Sequence, residues 1–188
     1  MQEVDDWELV ARAQGGDMNA FAEIVRRYQT PVIHFCQRML GSAQDAEDMA
    51  QDCFMRLHRY LDRLQPQAKF STVLFGMARQ LTLNHLRDTK RRGRGQHESV
   101  DVRPVPASIN AHPDRQARLR EIEGALEEGL ARLSAEHREV LVLREIQGMD
   151  YDAIAAVVHC RKGTVKSRLA RAREQLRQQL VALGGEAL

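Results

Sequence analysis

The sequence predicts an all-α protein: two small helical domains joined by a flexible linker, the second containing a helix-turn-helix. Three observations predict it. The 188 residues are 43% hydrophobic and 29% charged with aromatics at only 5%, and the abundance of Ala, Leu, Arg, Glu and Gln favours helices. Apolar residues recur at spacings of three and four, and no strand-type alternation persists. Between residues 93 and 113 that period stops. "GRGQHESVDVRPVPASINAHP" holds three prolines and is too long for an ordinary loop inside a domain. The expected boundaries are therefore 1–92, a linker over 93–113, and 114–188. Each domain can bury only a modest core.

The elements follow in order. Asp5 or Asp6 can cap a short helix that stops at Gly15–Gly16. Asp17 opens a second, with Phe21, Ile24, Val25 and Tyr28 on one face. Pro31 is expected to start a third, with Val32, Phe35, Cys36, Met39 and Leu40 inward and Gly41 as its end. Ser42 and Asp45 mark the start of a long helix with the stripe Ala46, Met49, Ala50, Cys53, Phe54, Leu57 and Tyr60 or Leu61. After the loop "DRLQPQAK" a helix runs from about Phe70 to Arg92, with Val73, Leu74, Met77, Ala78 and Leu81 inward. Beyond the linker, Leu119, Ile122, Leu126, Leu130 and Leu133 keep helical spacing. Ser134 can cap the next helix, with Val140, Leu141 and Ile146 inward, which ends at Gly148. Two shorter segments, "DYDAIAAVV" and "RKGTVKSRLARAREQLR", close the pattern.

Charge narrows the function. The net charge is +2, but the signs are segregated. Residues 1–60 have 10 acids and 6 bases, and residues 96–160 have 12 and 7. Residues 61–95 have 2 acids and 8 bases, and residues 161–188 have 2 and 7. Two basic blocks on an otherwise acidic chain point to two contacts with one polyanion. No apolar run approaches the roughly 20 residues that cross a bilayer, and "MQEVDDWELV" lacks the basic start of a signal peptide. A cytoplasmic protein that is not membrane-inserted is expected. Cys36, Cys53 and Cys160 sit far apart in apolar helical settings and read as reduced, small hydrophobes. Neither His34 with Cys36 nor His159 with Cys160 has zinc-ligand spacing, so no metal and no cofactor are expected. With no phosphate-binding glycine loop and no nucleophile–base pair, no catalytic residue is assigned and the chain is not read as an enzyme.

The last two segments carry the sharpest motif. "YDAIAAVVHCRKGTVKSR" places a short helix, a three-residue turn and a second helix in succession, with Ile154 and Val158 facing Val165 and Leu169. Ala155 is small where two crossing helices must approach closely. This is helix-turn-helix grammar, whose second helix lays its N-terminal side chains in the major groove. Val165, Leu169, Ala172 and Leu176 form the core stripe. Lys166, Arg168 and Arg171 flank it, and Thr164 and Ser167 lie opposite near the helix start. Lys166 and Arg171 can donate to guanine acceptors or phosphates. The helix start near Tyr151 suits a phosphate contact.

At this point the chain resembles a known family. "LSAEHREVLVLREIQGMDYDAIAAVVHCRKGTVKSRLARAREQL" is similar to the promoter-binding C-terminal domain of bacterial RNA polymerase sigma factors. "DAEDMAQDCFMRLHRYL" and "KFSTVLFGMARQLTLNHLRDTKRR" resemble the N-terminal domain of the extracytoplasmic-function (ECF) group. The resemblance implies two helical domains acting on a polymerase. It implies core polymerase binding by Asp48, Gln51, Asp52 and Arg56. It implies recognition of the −10 region by Phe70, Thr72, Arg79 and Gln80, with Arg87, Lys90, Arg91 and Arg92 along phosphates. It implies −35 recognition by Tyr151, Thr164, Lys166, Ser167, Arg168 and Arg171, and a linker whose Glu98 and Asp101 mimic phosphates near the polymerase active site. The implied partners are core RNA polymerase, promoter DNA and an anti-sigma factor.

The chain departs from the family pattern in places. Val73 stands where Trp is usual, and Asn84 where Asp is common. His159 holds a turn position usually given to Gly, and Arg161 and Lys162 replace small or apolar residues. A positive φ at His159 would carry a steric cost. The competing reading is a stand-alone helix-turn-helix regulator that binds operators as a dimer.

Overall fold

The computed structural model describes residues 4–92 and 113–182. The described residues form helices and turns only. Helix α1 spans Asp6–Gln14, α2 Met18–Leu40, α3 Ala43–Arg59 and α4 Phe70–Arg92, with a short 3-10 turn at Leu61–Arg63. Helix α5 spans Pro113–Ala131, α6 Ala135–Leu141, α7 Tyr151–Val158 and α8 Lys162–Ala182, and a π-helical turn, Val142–Ile146, follows α6. Residues 93–112 of the expected linker, with Glu98 and Asp101, lie outside the described residues, and Pro113 already belongs to α5. None of the described helices is long and apolar enough to cross a membrane.

Local chemistry explains most helix starts. The Asp5 carboxylate accepts from Trp7 N, Asp17 from Asn19 N and Ala20 N, Ser42 from Asp45 N, Ser134 from His137 N and Asp150 from Ala153 N. Each satisfies backbone donors that a helix start leaves open. Gly41 ends α2 in the left-handed conformation at φ 77°, which costs glycine little.

Two expectations fail. Pro31 does not start a helix; it lies inside the continuous α2. Its fixed φ is helical, and the one backbone bond it forfeits is outweighed by burial of Ile24, Val32, Phe35 and Met39 on both sides. Ile146, expected inward, is 42% exposed. The π-helical turn adds a residue to the helical repeat, with Gln147 N bonded to Val142 O at 3.1 Å, and this swings Ile146 off the apolar stripe. Ile122 also faces outward, while Leu130 and Leu133 are buried.

The N-terminal domain packs α1 to α4 around aromatic rings. Phe70 is 2% exposed and takes Trp7 and Tyr28 edge-on, with centroids at 5.8 and 5.4 Å. Trp7 Nε1 donates to Ala68 O at 2.8 Å, so α1 pins the entry to α4. Cys36 and Cys53 are fully buried, and burial pushes both thiols up to about 12, which leaves them unreactive. In the C-terminal domain the residues Val140–Leu143, Ile154, Val157, Val165, Leu169 and Ala172 form the core. Gly129 admits a close crossing of α5 and α8, since a Cβ there would sit 2.7 Å from Leu176 Cδ1.

The domains also touch. Arg138 Nη1 donates to Met39 O at 2.7 Å, Gln147 Nε2 to Pro31 O at 3.1 Å, and Arg38 pairs with Glu127 at 2.8 Å. Lys69 pairs with Asp150 at 2.9 Å. Replacing the ring that ties α1, α2 and α4 together is expected to cost about 3–5 kcal/mol. Urea unfolding of Phe70→Ala measures it, and a loss below about 1 kcal/mol would show that the three helices do not depend on this contact.

Candidate nucleic-acid interface

The helix-turn-helix is built from a short apolar helix and a long amphipathic one. Ile154, Val157 and Val158 of α7 close over Val165 and Leu169 of α8, and all five are buried. That seam fixes the crossing and forces the polar residues of α8 outward. The turn needs a left-handed residue, and His159 supplies it at φ 55°, ψ 48°, the only non-glycine with positive φ among the described residues. Its N–H returns to Ala155 O and ends α7.

On the outer face Lys166, Ser167 and Arg171 are exposed and Thr164 is half-buried. Ser167 Oγ donates to Thr164 O at 3.0 Å, which leaves its lone pairs outward. Lys166 Nζ lies 6.0 Å from the centre of the half-buried Tyr151 ring, and the Arg144 guanidinium lies 5.1 Å from it. Tyr151 therefore sits between two cations at the start of α7. Other bases of α8 are already engaged. Lys162 pairs with Asp152, Arg173 with Glu145 and Arg177 with Glu174. Arg168 pairs with Glu136 at 2.7 Å and is only 21% exposed. Arg161 and Arg171 have no ion-pair partner among the described residues.

Helix α4 splits along its length. Phe70 and Thr72, at its start, are buried, so their side chains are not presented to a ligand. Arg79 is half-buried and Gln80 exposed. The last turns carry Arg87, Lys90, Arg91 and Arg92, all exposed. Arg87 donates to Asn84 Oδ1 and Arg91 lies 3.4 Å from Asp88, while Lys90 and Arg92 have no ion-pair partner among the described residues. Val73, on the same helix, is half-buried.

On α3 the residues Asp48, Gln51 and Asp52 are exposed and Arg56 is half-buried, 5.8 Å from the Tyr60 ring. They share one face, since their spacings are three and four. Beside them a groove of about 550 Å³ runs between α2 and α3, lined by Phe21, Val25, Ile33, Phe54 and Met55. Sequence reading placed Phe54 inward and passed over Met55, which is exposed. It also passed over Glu139. That residue is 1% exposed and accepts from Arg79, Nε to Oε2 at 2.7 Å and Nη2 to Oε1 at 3.2 Å, while Arg168 Nη1 lies 3.9 Å from Oε1. Burial raises its carboxyl above the usual range, against the pull of Arg79 and Arg168. An acid in the apolar run "REVLVL" was the available signal, because such a group needs a cation from elsewhere.

This geometry stands beside clear similarities to known proteins. The Sigma-70 region 2 family matches residues 24–92, and the Sigma-70 region 4 family matches residues 123–176. The RNA polymerase sigma-H factor of Pseudomonas aeruginosa is 33% identical, covering 97% of this chain and 97% of its own. The ECF RNA polymerase sigma factor SigW of Bacillus subtilis is 30% identical over 91% of this chain and 94% of its own. The chain belongs to the ECF group of RNA polymerase sigma factors. Among solved structures, the sigma factor RpoE in complex with the anti-sigma factor NepR, from Bartonella quintana, superposes with a TM-score of 0.71 at 25% identity, covering 86% of this chain and 96% of that one.

This sigma factor is thus a transcription initiation factor and not an enzyme. The end-to-end match to sigma factors displaces the stand-alone regulator. Region 2 takes in most of α2 with α3 and α4, and region 4 takes in the end of α5 through most of α8.

One consequence is local to the turn. A non-glycine in the left-handed region costs about 1–2 kcal/mol, so His159→Gly is expected to raise thermal stability, less the entropy that glycine adds to the unfolded chain. A lower melting temperature would show that the imidazole makes a compensating contact.

Proposed function

We propose that this sigma factor binds core RNA polymerase through residues 1–92, which also meet the −10 region of the promoter, and reads the −35 element through residues 114–188, with 93–113 as the tether. Polymerase docks on the α3 face formed by Asp48, Gln51, Asp52 and Arg56. Lys90 and Arg92, with Arg87 and Arg91, track phosphates at the end of α4. Gln80 and Arg79 lie along the same helix toward the opened strand. Phe70 and Thr72 serve this region from inside the core, by fixing where α4 begins. In region 4, Lys166 and Arg171 face base edges, with Thr164 and Ser167 short enough to let the backbone approach. Arg168 and Tyr151 frame them at the groove wall.

One observation carries this reading. Many of the described bases are paired with acids, yet Lys90 and Arg92 at the end of α4, Arg161 in the turn before α8 and Arg171 on α8 are exposed and without an acid partner among the described residues. Charge left unneutralised at two places suits one long polyanion, because each phosphate contact releases counterions. The protein works in the cytoplasm, where core polymerase and the chromosome are. It is held in reserve by an anti-sigma factor, a reading supported by its likeness to RpoE, which was crystallised with NepR.

The test uses the full chain with core RNA polymerase and a promoter found by sequencing the transcripts of that holoenzyme on genomic DNA. Arg171→Ala is expected to cost about 1–3 kcal/mol on the native −35 sequence and little on a scrambled one. Arg92→Ala is expected to weaken both equally and to lower the salt slope by about 1. Equal slopes and equal sequence preference in the two variants would overturn this division of roles.

A further inference from the structure

The segment "RLHRYLDR", residues 56–63, carries three arginines and one acid. Helix α3 places Asp48, Asp52, Arg56 and its cap residue Tyr60 along one face, by their spacing of four. The charge reverses along that face, from two carboxylates to a guanidinium. Just beyond the helix Arg63 is exposed. Arg56, Arg59 and Arg63 have no ion-pair partner among the described residues, and the exposed Asp62 beside them pairs with none of the three. A helix C-terminus favours cations, which accounts for Arg56 and Arg59 in the last turn of α3. It does not account for Arg63, past the helix end, or for an aromatic ring set among the three.

That ring is Tyr60, 43% exposed although Leu57 and Leu61 are buried. The Arg56 guanidinium lies 5.8 Å from the ring centroid and that of Arg63 5.9 Å. Both are near the outer limit of such contacts, about 6 Å, so neither lies flat on the ring. The backbone beneath is held from three sides. Tyr60 N donates to Arg56 O at 3.1 Å, and Arg63 N donates to Tyr60 O at 3.0 Å. From α1, Gln14 Nε2 donates to Leu61 O at 2.9 Å and to Leu64 O at 3.1 Å. An exposed ring on a fixed backbone, flanked by unpaired arginines, suits a flat ligand on an anionic chain. A nucleobase stacks on the ring while its phosphates meet the guanidinium groups.

The position on the fold selects the form of nucleic acid. Cys53 of α3 lies against Leu74 O of α4 at 3.8 Å, and Asp45 lies 3.5 Å from His85. The two helices therefore run antiparallel, and Tyr60 stands at the end where α4 begins. The basic end of α4, with Lys90 and Arg92, is roughly 30 Å away by the helical rise. Inside a duplex each base is covered by its neighbours, so a ring platform takes a base only from an unpaired strand. We propose that Tyr60, set between Arg56 and Arg63, is a stacking platform for an unpaired base of the opened promoter, separate from the phosphates held at the end of α4. The inference rests on the reading that residues 1–92 meet the −10 region. It leaves Asp48, Gln51 and Asp52 to polymerase and puts Arg56 at the border of the two surfaces.

The experiment uses the full chain assembled with core RNA polymerase and two fluorescent fragments of one promoter. One is a duplex that carries the −35 element and stops upstream of the −10 region. The other continues through the −10 region and beyond as a mismatched bubble. Tyr60→Ala is expected to bind the bubble about tenfold more weakly than wild type and the short duplex equally. Tyr60→Phe, which keeps the ring, is expected to match wild type on both. Arg63→Ala is expected to lower the salt slope on the bubble by about 0.7. All variants are expected to assemble with core polymerase as wild type does. If wild type prefers the bubble and Tyr60→Ala binds it equally well, the platform is overturned and the reading of residues 1–92 stands. If wild type binds the two fragments alike, that reading fails and the platform with it. A loss in Tyr60→Phe as large as in Tyr60→Ala overturns stacking, and an unchanged slope in Arg63→Ala overturns the phosphate contact. Weaker assembly of Tyr60→Ala with core polymerase overturns the proposal by making the patch a polymerase contact.

Discussion

A carboxylate carried from water into a protein interior loses solvation worth on the order of several kcal/mol, and only a well-placed cation with good hydrogen bonds restores it. Glu139 is such a group, and the arrangement of this sigma factor turns on it. Its partners come from α4 and α8, so satisfying one acid fixes the relation of two helices in different domains. Around it the apolar seams are short. The helix-turn-helix closes over little more than Ile154, Val157, Val158, Val165 and Leu169. Small seams of this kind leave much of the relative placement of the domains to a few directional polar contacts.

The same logic decides which positive charges are available. Counted along the sequence, α8 and its turn look uniformly basic. In the folded chain Arg168, Arg173 and Lys162 are claimed by Glu136, Glu145 and Asp152, acids that lie outside α8. Surface pairs of this kind add little stability, but they remove charge from the field a polyanion meets. What remains is concentrated at Arg161, just before the helix, and at Lys166 and Arg171 within its first three turns. At the end of α4 the selection is similar, with Arg91 near Asp88 and Lys90 and Arg92 left open.

Much of the fold was legible because its causes are local. Asp5, Asp17, Ser42 and Ser134 cap helices where a short acceptor side chain precedes an apolar period. Helix α4 starts and ends where its stripe and its basic run begin and stop. The left-handed turn at His159 was readable only through the family resemblance, which has Gly at that position. The misses have distant causes. Pro31 is carried through α2 by burial on either side of it. Ile146 leaves the core because of a π-helical turn that no period announces. Phe70 was expected near bases and instead fills the space between Trp7 and Tyr28, residues from other helices. Arg79 and Arg168 were read as DNA contacts from their positions alone, and their shared acid comes from the third helix concerned, α6.

The central claim is that two separated cationic surfaces of one chain meet two separate stretches of one promoter within the assembled holoenzyme. Site-specific photocrosslinking tests it most directly, with a photoreactive residue placed at Ser167 in one protein and at Asp88 in another. The account predicts that in complexes with core polymerase the first attaches to the upstream element and the second to a distinct downstream stretch of the same fragment. Attachment of both to one stretch, or of neither to DNA while transcription proceeds, would contradict it.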